Sequence, residues 1–187
     1  SLGLPLAPQD WSGLSLAVGL SVARSLHPDI RLKWPNDLWW QQRKLAGILI
    51  ETAGWTGPSA GDGRSRYVVI GIGINIQAPP AQGLSTAPAG LNELLPGVDA
   101  AQALARLALP LVQTVQQFER SGFVPFQAEF NARDALADLA VSLSDGTQGV
   151  ARGVDAGGAL QLHNAHGVHN VTSAEVSVRP AATVGSR

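Results

Sequence analysis

The 187-residue chain is 45% hydrophobic and 14% charged, with a formal net charge of −1, enough for one medium core or a core plus a small satellite domain. The near-neutral balance gives no basic face for duplex nucleic acid and no polybasic membrane patch. No apolar run approaches the roughly 18–20 residues of a spanning helix, and the absence of cysteine excludes a disulfide framework, a thiolate nucleophile and a cysteine metal site.

The chain opens on Ser1 and contains no Met, which reads as a piece whose upstream part is missing. Residues 1–13 read as irregular, punctuated by Gly3, Pro5, Pro8 and Gly13, with Asp10 or Ser12 as the cap of a helix. From Leu14 to Leu26 the apolar Leu14, Ala17, Val18, Val22 and Leu26 recur at helical spacing. Gly19 within that helix marks close packing on a sheet, and His27-Pro28-Asp29 ends it. Short extended runs come next at Ile30 to Trp34, Leu38 to Trp40 and Lys44 to Glu51, joined by turns at Pro35-Asn36-Asp37 and Gln41-Gln42-Arg43. Residues 53–65 read as a loose insertion or long hairpin loop. Tyr67 to Ile76, rich in β-branched residues, reads as a further strand.

A Gly/Pro/Ala-rich loop covers Ala78 to about Ala89, and a short helix is expected at Leu91 to Leu95. Asp99 to Arg120 reads as an amphipathic helix carrying Leu104, Leu107, Leu111, Val115 and Phe118, stopped by Gly122. Another is expected from Val124 to Arg133. From about Leu139 the pattern changes to short alternating runs divided by Asp-Gly, Gly-Gly and His-Gly turns, which implies a small β-barrel-like unit.

Three segments are candidates for chemistry. In Lys33-Trp34-Pro35-Asn36-Asp37-Leu38 a cation precedes a turn that holds an amide and a carboxylate. Those groups could position a phosphate and an incoming amine, and they equally suit an ordinary turn with an apolar Trp. In Arg43 to Glu51, Lys44 stands at the head of an apolar strand and Gly47 allows a ligand to approach the backbone. The plainer alternative is a terminal lysine reaching solvent. In Gly71-Ile72-Gly73-Ile74-Asn75 the alternating glycines strip one face of a strand, so something should lie against it. The segment continues into no third Gly and no helix, so this is neither a dinucleotide fingerprint nor a phosphate loop. Asn75 reads either as a buried group bonded to backbone or as a ligand contact.

The basic residues are eleven Arg against two Lys, and both lysines fall within twelve residues, at 33 and 44. Lysine and arginine differ chemically at anion sites, so this is a hint of function, with chance clustering as the alternative. His27, His163, His166 and His169 have no clustered carboxylate, and a metal held by protein side chains is not expected. No nucleophile-elbow sequence is present.

Residues 31–51 and 69–76, taken together in this order and spacing, closely resemble the catalytic domain of the biotin protein ligase family. Weaker likeness covers the helix at 14–26, the helices at 99–135 and Glu175-Val176-Ser177-Val178-Arg179. The resemblance implies an α+β fold. A mixed-sheet, class II aminoacyl-tRNA-synthetase-like catalytic domain, related to lipoate ligases, would occupy 1–137 with its N-terminal part missing. A small SH3-like β-barrel would occupy 138–187. The implied function is ATP-dependent biotinylation of a carrier-protein lysine through biotinoyl-5′-AMP, in the cytoplasm, with biotin, ATP and Mg²⁺ at the site. Lys44 would contact biotin and the acyl phosphate, Asn36 and Asp37 would sit near the reacting phosphate, and Lys33 would act there or only support the turn. Gly47, Ile48, Leu49, Gly71 and Gly73 would line the biotin pocket, Asn75 would lie near the nucleotide, and Glu175 would help close over ATP. The implied partners are the biotin carboxyl carrier protein of acetyl-CoA carboxylase and a second copy of the chain, with no membrane and no nucleic acid.

The family's Arg/Gly-rich loop over the adenylate has no counterpart in residues 1–13, so this piece alone is expected to be a poor enzyme. A lipoate-type ligase and a non-catalytic biotin or carrier-protein binding module are the competing readings.

Overall fold

The computed structural model describes residues 1–54, 65–84, 86–172 and 178–180. Leucines alternate at 2, 4 and 6, and they form strand β1 (Leu2–Leu6) on the edge of the first sheet. This corrects the expectation of an irregular start. Pro5 is compatible because an edge strand needs ladder bonds on one side only. Helix α1 (Leu14–Leu26) comes next, and its N-cap is Gly13 at φ 80° with no side-chain cap. Asp10 caps nothing, because its carboxylate accepts instead from the backbone N–H of Ser12 at 2.8 Å.

Strands β2 (Arg31–Lys33), β3 (Asp37–Trp40), β4 (Arg43–Gly54) and β5 (Arg66–Ile74) complete an antiparallel sheet in the order β1-β5-β4-β3-β2. The hairpin between β4 and β5 is longer than the pattern suggested; of its loop, residues 55–64 lie outside the described residues. The β3–β4 turn is tight, with Gln41 at φ 47° and Gln42 at φ 61°, the paired positive φ of a two-residue hairpin turn.

The side-chain period of two divides β4 and β5 between environments. Ala46, Ile48, Ile70 and Ile72 share the inner face of the sheet, on which α1 lies with its residues from Leu14 to Leu26 nearly all buried. Gly19 is where the two layers meet: a Cβ there would lie 3.4 Å from both Ile48 and Leu32 side chains. Helix α2 (Ala100–Ser121) packs beside α1 and buries Ala103, Leu107, Leu111, Val115 and Phe118, and its Ala103, Leu107 and Leu111 also line a cavity with Ile70 and Ile72 of β5. It is capped reciprocally by Asp99 and Gln102 and closed by Gly122 at φ 64°. Leu104 does not join that stripe and is 64% exposed. Between α2 and α3 (Val124–Ala132), Phe118, Phe123, Phe126 and Phe130 are buried, each such side chain contributing about 1.5–3 kcal/mol relative to exposure.

A second antiparallel sheet has the order β10-β6-β7-β8-β9, from β6 (Ala140–Leu143), β7 (Gln148–Val154), β8 (Leu160–Asn164), β9 (Gly167–Val171) and β10 (Val178–Pro180). Val141, Ala151, Leu160, Leu162 and Val178 form its small core. It is fastened to the first body by polar contacts. Trp34 Nε1 donates to Gly158 O at 3.1 Å, while Asn131 accepts from Val154 N at 2.8 Å and, with Gln127, donates to Val154 O. The connecting segment runs beside β2, with Leu32 N donating to Arg133 O and Ala135 N to Leu32 O, both at 2.9 Å.

Candidate active site

The face of the first sheet away from α1 carries the charged cluster. A β-bulge between Leu38 and Trp39 shifts the β3–β4 register so that Asp37 lies opposite Gly47 and Trp39 opposite Lys44. Asp37 and Lys44 therefore project together, and Lys44 Nζ meets Asp37 Oδ1 at 2.6 Å, with the two side chains 44% and 15% exposed. A Cβ at Gly47 would sit 3.5 Å from both charged groups. Across the ladder Gly47 pairs with Gly73, so the two glycines leave a floor with no side chains beside the ion pair. Lys33 lies over the Trp39 ring at 5.3 Å, and Trp39, 8% exposed, has an indole N–H with no hydrogen-bond partner among the described residues.

These residues line a cavity of about 800 Å³. Lys33, Asp37, Lys44, Gly47, Gly73 and Asn75, all singled out from sequence, meet there. Asn36, Ile48 and Leu49 border a neighbouring cavity of about 450 Å³ instead. Asn36 Nδ2 donates to Ile48 O and Ile48 N to Asn36 O, both at 2.9 Å, so Asn36 binds the turn to β4. The Ile48 side chain is buried toward α1, and Leu49 is 63% exposed. Gly71 pairs with Leu49 and borders neither cavity. Glu175 lies outside the described residues.

Both alternatives for Asn75 bear on its position: it lines the cavity and also bonds to backbone. Its Nδ2 donates to Lys44 O at 3.3 Å and Ala89 O at 3.2 Å. The second wall of the cavity was not foreseen. Residues 86–90 fold back alongside the head of β4, with Lys44 N donating to Ala87 O at 2.9 Å and Ala89 N to Lys44 O at 2.8 Å. The Glu93 carboxyl is lowered from its ordinary range, first by the Arg43 guanidinium and then by the Gly90 N–H. Val178 of β10 supplies a further piece of wall from the second sheet. Among the described residues no group of three or more His, Cys, Asp or Glu side chains is placed to hold a metal ion.

A profile described as the Biotin/lipoate A/B protein ligase family matches residues 7–75. The chain is 35% identical over 192 residues to the bifunctional ligase/repressor BirA of Escherichia coli strain K12, covering 95% of this chain and 56% of that protein. It is 31% identical to the biotin–[acetyl-CoA-carboxylase] ligase of Paracoccus denitrificans, covering 88% and 70%. In structure it resembles the apo biotin protein ligase of Aquifex aeolicus, with a TM-score of 0.78 at 23% identity over 96% of this chain and 81% of that one.

The fold is thus the mixed α/β architecture seen in biotin protein ligases. The chain belongs to the biotin protein ligase family, within the wider biotin/lipoate ligases. It spans a little over half the length of its Escherichia coli relative.

Proposed function

We propose that the chain carries the catalytic centre of an ATP-dependent biotin ligase that acts on a lysine of a biotin carboxyl carrier protein. The observation that carries this reading is the Lys44–Asp37 ion pair standing beside the bare Gly47–Gly73 floor in one cavity. The Paracoccus denitrificans relative is named as a biotin–[acetyl-CoA-carboxylase] ligase, and a solved structural neighbour is described in complex with biotin and ATP.

In the first step an oxygen of the biotin carboxylate attacks the α-phosphorus of ATP. The bond to the β-phosphate oxygen breaks, leaving biotinoyl-5′-AMP and pyrophosphate. Two anions must meet, and the Lys44 ammonium lowers that repulsion while holding both groups in register. Asp37 keeps Lys44 beside the glycine floor until an anionic ligand takes its place as partner. In the second step a neutral amine of the acceptor lysine attacks the acyl carbon and AMP leaves. Asp37 orients that amine or takes its proton. Asn36 steadies the turn that carries Asp37, and Lys33 lies against Trp39 at the rim.

Gly47 and Gly73 form the biotin side of that cavity and Asn75 with residues 86–88 the nucleotide side, whereas Ile48 and Leu49, which border the neighbouring cavity, and Gly71, which borders neither, stand outside it. Mg²⁺ commonly arrives on substrate phosphates with one or two protein carboxylates. Asp37 is the carboxylate that lines the cavity among the described residues and would hold such an ion, which neutralises phosphate charge. Residues 1–137 and 138–187 are assigned as catalytic and C-terminal domains, the latter SH3-like. Five short antiparallel strands around a small core favour that assignment. Beyond Ile48, β4 has no strand on its β3 side among the described residues, an edge suited to pairing with a second copy. A cytoplasmic location follows from the same reading.

The test is calorimetric titration of the chain with biotin, then with biotin, ATP and Mg²⁺, and finally mass analysis of the bound species. Tight binding with retained biotinoyl-adenylate is expected of a working centre. Biotin binding with no ATP-dependent product would instead identify a binding module.

A further inference from the structure

Arg43 adjoins Lys44 in sequence, yet it borders neither cavity. Placed by the tight Gln41–Gln42 turn, its guanidinium spreads over the Trp40 ring at 5.0 Å. One nitrogen donates to Glu93 Oε1 at 3.1 Å and to Pro88 O at 3.4 Å, and the other to Glu93 Oε2 at 2.7 Å. Glu93 in turn accepts from Gly90 N at 2.7 Å. The fork-to-carboxylate geometry is directional, which a point-charge ammonium could not reproduce.

The consequence is a closed loop of contacts around one wall. Pro88 is tied to Arg43 directly and Gly90 through Glu93, and Ala87 and Ala89 are tied to the Lys44 backbone. Asn75 joins Lys44 O to Ala89 O from the β5 side, and its own carbonyl accepts from Leu91 N at 2.7 Å. There is little slack behind this wall, since a Cβ at Gly90 would lie 2.4 Å from Ala78 N.

We infer that Arg43 and Glu93 form a buckle that sets the 86–90 wall against Lys44, making both of them positioning residues for the nucleotide side of the cavity. Arg43 acts without touching substrate. It fixes how far Thr86, Ala87 and Pro88 stand from the Lys44 ammonium across the cavity. The glycine floor hangs on the β4–β5 ladder and is independent of the buckle. The nucleotide part of this inference rests on the proposed ligase reading; the mechanical part does not.

The test compares wild type, Arg43→Ala, Glu93→Ala and the exchanged pair Arg43→Glu with Glu93→Arg, in the intact protein. Amide hydrogen exchange at Lys44 and Ala89 is measured together with steady-state KM for ATP, KM for biotin and kcat. Each single variant should speed exchange at both amides and raise KM for ATP about tenfold, with KM for biotin and kcat within about threefold, the pattern of lost ground-state binding. The exchanged pair should restore both readouts to within about threefold of wild type. Unchanged exchange at Lys44 and Ala89 would overturn the buckle. Faster exchange with KM for ATP unmoved, or with kcat and both KM values degraded alike, would overturn the positioning role. A wild type that makes no adenylate overturns the ligase reading instead, while the exchange data still decide the buckle.

Discussion

The two faces of strand β4 differ by one residue in sequence and by almost everything in physical role. Ala46 and Ile48, 1% and 4% exposed, are packed against α1, where a methyl group counts as stability. Gly47 and Lys44 look the other way, onto a cavity with an ion pair and a bare floor. A strand buried on both faces would carry apolar residues throughout. Here one face holds the sheet together and the other gives up packing so that a ligand can lie on it, and substitutions should separate the two roles cleanly.

The largest effect is expected at the charged end. Lys44→Ala should cut adenylate formation on the order of a thousandfold, the scale of removing a charge-stabilising group from a reacting centre. The thermal midpoint should hardly move, because the side chain is 44% exposed and exposed ion pairs add little to stability. A stopped assay for pyrophosphate beside a melting curve checks both halves. Near-normal turnover would remove Lys44 from the mechanism.

A sharper form of the contrast uses neighbours. Ile48→Ala should cost about 2–4 kcal/mol of stability through the lost apolar contact and the cavity left behind. Gly47→Val should leave the fold nearly as stable, since a Cβ there meets only ordinary contacts at 3.5 Å. It should nonetheless weaken biotin binding severely by filling the space over the floor. Denaturant titration and calorimetry on both variants decide it. A large stability loss in Gly47→Val would show that this face is structural as well.

Much of this arrangement is legible from residue pattern, and the failures have physical causes. The strands from 31 to 74 and the helix closed by Gly122 follow from alternation, turn residues and capping, which are local signals. Strand β1 escapes notice because Gly3 and Pro5 are conspicuous, while the alternation of Leu2, Leu4 and Leu6 is short; its pairing with β5 spans sixty residues or more. Leu104 fits a helical stripe, but the stripe that meets α1 runs through Ala103 and Leu107, and which neighbouring row is covered depends on the tertiary partner. At the site, Lys44, Asp37 and the glycines stand out by type and spacing. The Arg43–Glu93 contact bridges fifty residues, and nothing in either segment announces the other.

The smallest expected effect extends the comparison to two aspartates. Asp37 stands on the open face with a lysine beside it. Asp134 is 8% exposed; one of its oxygens accepts from Leu136 N at 2.8 Å and the other has no partner among the described residues. Burial pushes its carboxyl up to about 6, against the Leu136 N–H that lowers it and with the Asp138 charge adding to the rise. The unfolded chain ionises this group in the ordinary aspartate range, whereas the folded chain holds the proton until about pH 6. The stability present below that ordinary range is therefore lost as pH rises toward 6, and a penalty of about 2–3 kcal/mol remains above it. Asp134→Asn keeps the acceptor for Leu136 and removes the charge, while placing an amide where an oxygen already lacked a partner, which offsets part of the gain. It should stabilise the protein by about 1–2 kcal/mol at pH 7.5 and leave it slightly less stable than wild type at pH 4, where the amide's cost remains without the gain, read from urea titrations at the two values. An equal difference at both would mean that Asp134 ionises in the folded protein as it does in the unfolded chain, and that its burial carries no charge penalty.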